Sequence, residues 1–405
     1  MRTTRRYAYA ALLAASLLTA PLHAAEWINT WAASPLPNAA TPGPGPAPLS
    51  LNNQTVRQVL HLSAGGQQLR VRLSNEYGAK PLRIGAATVS RVKADGSLDA
   101  SSTRTLRFGG QPDALIPIAA PLLSDPVDLP VAALSDISVS VWFPEETGPC
   151  TCHPVGSQDG FISEPGNFTQ EVFTAARTIQ SRAFLTGVDV QVARGKTIVV
   201  LGDSISDGVG SSRNLNRRWP DVLARRLNST RGGPAWGISN QGISGNRVLE
   251  DGAGQSALAR FDRDVLAVSG AAYVIVFEGV NDLGISFGAA RAKPLNLATA
   301  EAMIAGYRQL ISRAHARGLK VIGATIAPYE GASYWSAQGE AQRQAINNWI
   351  LNGKEFDGVL DFAASFADPA QPSRMADSKH IGDHLHGNDA GYEAVGNSIN
   401  LKLFR

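Results

Sequence analysis

A serine directly follows an apolar run in the second half of the chain. The run Lys196–Leu201 is typical of a strand buried on both faces, and Gly202-Asp203-Ser204 comes next. A serine at the end of such a strand can present its hydroxyl as a nucleophile near the free N–H groups of a helix start. The same place also suits an ordinary helix N-cap, so Ser204 alone leaves both roles open. Phosphate binding is disfavoured, because Asp207–Gly210 lacks the lysine of a phosphate-binding loop.

Two later segments offer neutral hydrogen-bond donors. The glycine-rich loop Asn240–Gly245 has backbone N–H groups that can face a ligand. Asn281 follows the apolar run Tyr273–Glu278, and its side chain offers an N–H donor without a competing charge. Each segment taken alone is equally typical of a plain turn.

A carboxylate and an imidazole stand three residues apart near the end of the chain, as Asp383 and His386. With this spacing the acid can accept the imidazole N–H, which selects one tautomer and stabilises the cation formed during catalysis. Such a pair is also common on loops without any function. His384 is the competing base, and Asp377 or His380 could also contribute.

The elements around these residues predict a parallel sheet. Apolar runs at Lys196–Leu201, Tyr273–Phe277 and Leu319–Ile326 alternate with helical patterns over Ala300–Arg317 and Gly339–Leu351. Strands that alternate with helices indicate a parallel sheet with helices on both faces. Active sites in such folds lie at the carboxyl ends of the strands. We therefore expect the polar residues that follow these runs to meet at one edge of the sheet.

The first half of the chain has a different pattern. Gln67–Leu73, Leu82–Val89 and Ile137–Phe143 alternate polar and apolar residues, and glycine-containing turns separate such runs. The mature chain of about 380 residues also exceeds a comfortable single core. We predict a β-rich, β-sandwich-like domain over residues 25–192 and a catalytic domain over residues 193–405.

In this order, the four polar segments resemble those of the SGNH or GDSL-type hydrolases over residues 196–405. Further segments are similar to those of a branch of secreted bacterial arylesterases and acylhydrolases, namely Arg218–Asp221, Glu278, Pro328–Gly331 and Gly382–His386. The resemblance implies a three-layer α/β/α, flavodoxin-like catalytic domain. It also implies that Ser204 is the nucleophile and that Asp383 and His386 complete the triad. The implied oxyanion donors are the N–H groups of Ser204 and Gly242 and the side chain of Asn281.

The first residues are typical of an export signal. Arg2, Arg5 and Arg6 precede the apolar stretch Ala8–Ala20, and small residues follow at Ala24 and Ala25. This stretch is too short to anchor the chain across a bilayer, and no later segment is apolar for long enough. We expect residues 1–24 to be removed and the mature protein to be secreted or periplasmic. A buried N-terminal helix is the alternative.

The net charge disappears with that signal. The whole chain has 37 basic and 34 acidic residues, and residues 1–24 contain three of the arginines and no acid. A nearly neutral mature chain has no electrostatic basis for binding nucleic acid or an anionic membrane.

The chain has two cysteines, Cys150 and Cys152. A metal site would need more ligands, although His153 is adjacent. In an oxidising compartment the pair can form a small disulfide, and two unbonded thiols remain the alternative.

Aromatic residues in the catalytic half suggest where a substrate could bind. Four of them, Trp219, Tyr329, Tyr334 and Trp335, lie near predicted loops or helix starts and could stack on a sugar or an aryl group, although packing is the alternative. Glu278, at the end of its predicted strand, is assigned with Trp219, Tyr329 and Trp335 to substrate binding.

We predict a serine esterase that hydrolyses short-chain esters, most simply acetyl esters on carbohydrate, without a metal or cofactor. Its substrate would be a small-molecule or polysaccharide ester. An exported acyltransferase with the same triad and a general aryl or alkyl esterase are alternatives. A carbohydrate-binding protein without activity is a further alternative, and it would require an inactive triad.

Overall fold

The computed structural model describes residues 25–38, 48–170, 175–229, 233–288 and 297–405. The export signal predicted for residues 1–24 lies outside the described residues. None of the helices within the described ranges has the length and apolar character needed to cross a membrane.

The N-terminal region is rich in β-strands, and its one described helix is a 3₁₀ turn at Ala100–Ser102. Its strands are β1 Glu26–Ala32, β2 Leu36–Pro37, β3 Gln54–His61, β4 Gly66–Ser74, β5 Leu82–Ile84, β6 Ala86–Arg91, β7 Arg104–Thr105, β8 Ala114–Ile116, β9 Pro121–Leu123, β10 Val127–Val131, β11 Asp136–Phe143, β12 Thr151–His153, β13 Gly160–Pro165, β14 Ala175–Ile179, β15 Arg182–Ala183 and β16 Leu185–Val192.

Two antiparallel sheets make up most of this region. One has the order β1-β16-β4-β10, with β9 also paired to β4, and the other has the order β14-β13-β3-β11-β6-β7. Apolar side chains of both sheets, such as Val71 of β4 and Val139 of β11, belong to one buried cluster. The prediction of a sheet-rich region is confirmed, whereas its finer description as a β-sandwich stays a prediction.

One predicted strand is divided in the structure. Leu82–Val89 was expected to be continuous, but β5 pairs with β8 and β6 pairs with β11 in a different sheet. The chain changes sheets at Gly85, where an added Cβ would lie 2.5 Å from the Trp142 ring. The core-facing positions shift by one residue across this point, from Leu82 and Ile84 in β5 to Ala87 and Val89 in β6.

Cys150 and Cys152 are joined by a disulfide, with their Cα atoms 5.4 Å apart. Both side chains are buried, and Cys152 lies in β12, which pairs with β2 and β15. Of the two alternatives left by the sequence, the structure has the bonded one.

The second half alternates strands and helices. Its elements are β17 Gly195–Gly202, α1 Ser204–Asp207, α2 Trp219–Asn228, β18 Ala235–Gly242, α3 Ala257–Phe261, a π-helical turn Asp262–Leu266, β19 Ala271–Phe277, α4 Val280–Phe287, α5 Ala300–His315, β20 Lys320–Ala324, α6 Ala337–Asn352, β21 Gly358–Leu360, α7 Phe362–Phe366, β22 Ala367–Asp368, β23 Gln371–Met375, a 3₁₀ turn Asp377–Lys379, α8 Asp389–Ser398 and a 3₁₀ turn Leu401–Leu403.

Five of these strands form a parallel sheet with the order β18-β17-β19-β20-β21. When these five strands are renumbered 1 to 5 in chain order, their order across the sheet is 2-1-3-4-5, as in flavodoxin-like folds. The helices form two groups, in which α2 and α7 contact α8, whereas α4 and α5 contact α6. The carboxyl ends of β17, β18 and β19 are adjacent, so the residues that follow them meet at one edge, as the sequence predicted.

The two regions are joined by hydrogen bonds between buried groups. Asn29 of β1 donates its backbone N–H to Thr197 Oγ1 of β17 over 3.0 Å. Ser63 Oγ accepts the N–H of Ile238 in β18 over 2.8 Å. The predicted domain boundary at residues 192/193 falls between β16 and β17. It stays a prediction, because hydrogen bonds such as these connect the two regions and separate folding of each half is not established.

Candidate active site

Ser204 lies at the turn between β17 and α1. Asp203 is the N-cap of α1, and its Oδ1 accepts the Ile205 N–H over 2.9 Å. A Cβ on Gly202 would lie 2.6 Å from the carbonyl oxygen of Phe277, so only glycine allows this close approach of β17 to β19. Ser204 therefore lies at the carboxyl end of β17 and is the first residue of α1.

The structure brings the three predicted triad residues together. Ser204 Oγ and His386 Nε2 are 2.8 Å apart, and His386 Nδ1 lies 2.6 Å from Asp383 Oδ2. The other carboxylate oxygen of Asp383 accepts the N–H groups of Leu385 and His386, each over 3.0 Å. These contacts place a base at the serine and an acceptor behind the base, which is the geometry that nucleophilic catalysis by serine requires.

Asp383 is held in its ionised form. Partial burial by itself would raise the pKa of its carboxyl group, but the hydrogen bonds from His386 and Leu385 and the charge of His386 lower it below its ordinary value. An ionised acid can accept the Nδ1–H of His386, which leaves Nε2 free to take the proton of Ser204.

His384 has a different position from His386. Its ring lies 4.4 Å from that of His380, and its Nε2 lies 3.4 Å from Arg374 Nη2. Its backbone has a φ of +58°, an uncommon conformation for a residue other than glycine. His386, and not His384, is therefore the histidine that is hydrogen-bonded to Ser204.

Alanine at position 386 is expected to lower kcat/KM for ester hydrolysis by at least about 10⁴-fold, because the serine loses its proton acceptor. His384→Ala is the matched control and should change kcat/KM by less than about tenfold, which corresponds to about 1.4 kcal/mol. Both variants can be assayed on p-nitrophenyl acetate. A larger loss in His384→Ala than in His386→Ala would reverse the assignment of the base.

The Asn281 side chain is aligned by two partners. Its Nδ2 donates to the Asn246 carbonyl over 3.0 Å, and the Tyr334 hydroxyl donates to its Oδ1 over 3.2 Å. These contacts fix which end of the amide is which and leave the second N–H of Nδ2 available to a ligand. Asn281 is thus a preorganised donor of the kind that stabilises an oxyanion.

The structure corrects the second predicted oxyanion donor. The Gly242 N–H donates to Asn240 Oδ1 over 3.0 Å, so it is already used within the protein. Three residues later, Gly245 has a φ of +81° and adjoins Asn246, the partner of Asn281. In the part of the chain that the structure describes, the N–H groups of Gly245 and Ser204 have no acceptor. Gly245 therefore replaces Gly242 as the candidate donor, a distinction that a glycine-rich loop does not reveal in sequence.

Two of the predicted substrate-stacking residues are core residues instead. Trp219 is 0% exposed and packs edge-on against Phe362 and Phe277, with ring centroids 5.2 and 6.3 Å apart. Tyr329 is also 0% exposed. The prediction that their rings face a ligand is wrong, because no ring surface is open. Trp335 is only partly buried, so its assignment stays a prediction.

Glu278 is also misassigned by the sequence, because its side chain is completely buried and lies 3.8 Å from Arg260. Burial and the charge of Asp203 raise the pKa of Glu278 well above its ordinary value, although Arg260 opposes this effect. Burial likewise raises the pKa of Asp203 to about 7 and that of Asp282 to about 6. All three side chains are buried, so none of them is open to a substrate.

The buried Asp203 should make stability depend on pH. Its pKa of about 7 in the folded protein exceeds the ordinary 3.8, so the folded state holds this proton more tightly than the unfolded state. Its contribution to the free energy of unfolding is therefore complete below about pH 4 and is lost as the pH rises to about 7. Asp203→Asn keeps the cap for Ile205 and should flatten this decline. Urea unfolding from pH 4.5 to 7.5 measures it, and equal slopes in both proteins would contradict the assignment.

One cluster near the catalytic loop has residue types that can bind a metal. Ligand atoms of Asp377, His380 and His384 lie within 4.8 Å of one another. However, His380 Nδ1 accepts the N–H groups of Gly382 and His384, over 2.9 and 3.2 Å. A neutral His380 must then carry its proton on Nε2, which leaves no lone pair for a metal. This ligand set does not fit an ion in the conformation described.

Sequence reasoning missed the structural roles of two residues of the site, Tyr334 and Asp282. Tyr334, which aligns Asn281, comes from the segment before α6. Asp282 accepts the N–H groups of Val248 and Leu249, over 2.8 and 3.1 Å, and thereby ties α4 to the loop after β18. The adjacency of Asp282 to Asn281 is a usable sequence signal. The sequence marks Tyr334 only as a possible stacking residue, and nothing in it indicates the hydrogen bond to Asn281.

The model of the GDSL-like lipase/acylhydrolase family matches residues 200–394. A comparison with curated proteins found no match. Among solved structures, the chain is similar to a lipolytic protein of the G-D-S-L family from Desulfitobacterium hafniense, with 20% identity and a TM-score of 0.38 over 50% of this chain and 97% of that one. It is also similar to a catalytic mutant of an acetylxylan esterase from Geobacillus stearothermophilus, with 19% identity and a TM-score of 0.39 over 52% and 94% of the two chains.

A lipase/acylhydrolase from Enterococcus faecalis shows the same extent of similarity, with 19% identity and a TM-score of 0.38 over 50% of this chain and 92% of that one. Each of these structures covers about half of this chain, 50–52% of its residues. Residues 200–394 are thus a domain of the GDSL-like lipase/acylhydrolase family, whose members are ester-hydrolysing enzymes.

Proposed function

We propose that the protein is an exported serine esterase that removes short acyl groups, most simply acetyl, from carbohydrate hydroxyls. The observation that carries the proposed chemistry is the hydrogen-bonded series Ser204–His386–Asp383, with separations of 2.8 and 2.6 Å. Its export rests on the signal-like residues 1–24.

In the first half of the reaction, Ser204 Oγ attacks the ester carbonyl carbon while its proton passes to His386 Nε2. The carbonyl oxygen becomes an oxyanion, and Asn281 Nδ2 with the N–H groups of Ser204 and Gly245 are the donors for it. One such donor contributes about 3–4 kcal/mol to transition-state stabilisation. When the ester C–O bond breaks, His386 returns the proton to the leaving alcohol, and the acyl group remains on Ser204.

Water completes the reaction by the same route. It attacks the acyl carbon as His386 takes one of its protons, and the second tetrahedral intermediate uses the same three donors. Collapse breaks the bond to Ser204, whose oxygen recovers the proton from His386. The products are the free acid and the unmodified enzyme, with Asp383 ionised throughout.

Packing beside Asn281 favours a small acyl group. Tyr334 covers the first turns of α4 so closely that a Cβ on Gly284 would overlap its ring. The same tyrosine donates to Asn281 and is therefore held in place. This arrangement limits the room next to the oxyanion donors, which suits an acetyl group better than a long chain.

Polar groups beside the catalytic loop favour a hydroxylated alcohol. Arg374 contacts His384, and Glu330 accepts hydrogen bonds from Ser373 and Gln371 on the neighbouring β23 segment. The partly exposed Trp335 adds an aromatic surface close to Tyr334. Donors, acceptors and an aromatic ring together suit a sugar, which presents both hydroxyls and an apolar face.

The substrate proposal is tested by comparing acetylated xylan with p-nitrophenyl esters of two to eight acyl carbons, with Ser204→Ala as the blank. We expect kcat/KM to fall steeply beyond acetyl, by about 1–3 kcal/mol for each methylene that does not fit, and free acetate to form from the polymer. Equal rates on longer chains, with no release from the polymer, would favour a general esterase. Transfer of acetyl to an added sugar instead of water would favour an acyltransferase.

A further inference from the structure

The disulfide segment of the N-terminal region extends into the catalytic half through His153. This residue ends β12, directly after Cys152, and it is only 5% exposed. Its Nε2 lies 2.8 Å from Oδ1 of Asp207, the last residue of α1 and three residues after Ser204. A side chain of the sheet-rich region is thus in contact with the helix that carries the nucleophile.

Both ring nitrogens of His153 face acceptors. Nδ1 lies 2.9 Å from the carbonyl oxygen of Ser34, which can only accept a hydrogen bond. Two donated bonds to a carbonyl and a carboxylate require the imidazolium form. Burial and Arg182 disfavour this charge, but Asp207 outweighs them and raises the pKa of His153. His153 and Asp207 therefore form a buried ion pair between the two halves of the chain.

The second carboxylate oxygen of Asp207 continues the connection. Asp207 Oδ2 accepts the Ser244 Oγ–H over 2.7 Å and the Ser244 N–H over 3.1 Å. Ser244 precedes Gly245 and Asn246, and the Asn246 carbonyl holds Asn281. One carboxylate thus links His153 to the loop that supplies one candidate oxyanion donor and aligns another.

We propose that His153 is a positioning residue, which acts through Asp207 and Ser244 to hold the loop of residues 242–246 in its catalytic arrangement. This inference rests on the proposed function of Ser204 as a nucleophile. It assigns a catalytic contribution to the N-terminal region, which has no residue in the triad. A shift of catalytic groups by about 1 Å lowers the rate by about 10²-fold. Loss of the contact between His153 and Asp207 should therefore have a measurable effect on the rate, although His153 does not touch the reacting atoms.

The test compares the wild type with His153→Phe, which removes both donors, and His153→Gln, which keeps one donor that can reach Asp207. His61→Gln is the matched control, since His61 pairs with Asp136 over 2.6 Å entirely within the N-terminal region. For p-nitrophenyl acetate, we expect kcat to fall about 10- to 100-fold in His153→Phe with KM nearly unchanged. His153→Gln should lose less, and His61→Gln should match the wild type.

A second measurement separates positioning from loss of folded protein. A boronic acid that forms a tetrahedral adduct with Ser204 should bind His153→Phe more weakly by about the same factor as the fall in kcat/KM. Unfolded molecules lower the maximal rate without changing the inhibition constant of those that remain folded. If His153→Phe does not fold, the same comparison is made with His153→Gln.

Wild-type kcat and boronate affinity in the folded His153 variants would overturn this inference and leave the proposed function intact. A wild-type protein that neither hydrolyses the ester nor binds the boronate would instead overturn the proposed function itself. A fall in kcat of equal size in His61→Gln would also overturn the inference, because the effect would then not depend on the contact with Asp207.

Discussion

Replacing Ser204 by alanine is expected to lower kcat/KM for p-nitrophenyl acetate by about 10⁴- to 10⁶-fold while the protein stays folded. The substitution removes the single oxygen atom that His386 contacts over 2.8 Å. The cap of α1 is unaffected, because Asp203 rather than Ser204 accepts the Ile205 N–H. Initial rates, circular dichroism and thermal unfolding measured on the same preparation give the result.

Ser206→Ala is the matched control for this prediction. Ser206 is buried two residues further along α1, and its hydroxyl has no hydrogen-bond partner among the described residues. Removing that hydroxyl should leave hydrolysis close to the wild-type rate. A brief reaction with substrate should also add the mass of an acyl group to the wild type and to Ser206→Ala, but not to Ser204→Ala. Near-normal turnover in Ser204→Ala would exclude this residue as the nucleophile.

Residues 193–405 expressed alone are expected to lose both cooperative unfolding and esterase activity. Removing the N-terminal region removes the hydrogen-bond partners of several polar side chains in the catalytic half, including Thr197, Asp207 and Gln241. Any of these groups that stays buried away from water without its partner costs about 1–3 kcal/mol. Several such losses together approach the total stability of a typical domain, about 5–15 kcal/mol. Urea unfolding and hydrolysis of p-nitrophenyl acetate measure the effect.

The control is to supply residues 25–192 as a separate chain. If the halves need each other only for these contacts, co-expression should restore hydrolysis, whereas an unrelated β-rich protein should not. An isolated catalytic half that unfolds cooperatively and turns over at the wild-type rate would show instead that the N-terminal region is an accessory.

Sequence by itself determined the local elements of the catalytic half. The predicted helix over Ala300–Arg317 is found as α5 over Ala300–His315, and the apolar run at Tyr273–Phe277 lies within β19. These elements follow from periodicity, which depends on neighbouring residues only. The place of the polar residues at the carboxyl ends of the strands then follows from the geometry of a parallel sheet.

The candidate triad was also accessible from sequence, because the order of its residues along the chain and their positions after strands restrict the alternatives. Asp383 and His386 are close in sequence, so a single loop can form their contact. Their meeting with Ser204 spans 182 residues, and the sequence could only propose it by resemblance.

The tertiary structure decided which backbone N–H groups are already hydrogen-bonded within the protein and which side chains are buried, and hence which of them can contact a substrate. Gly242 and Gly245 look alike in sequence, but Asn240 takes the N–H of the first. Trp219 is enclosed by Phe277 and Phe362, and Glu278 is buried beside Arg260, so neither can reach a substrate. The contact of His153 with Asp207 joins a strand and a helix whose residues are 54 positions apart in the chain. Such contacts arise from packing between distant segments, which composition, periodicity and short motifs do not encode.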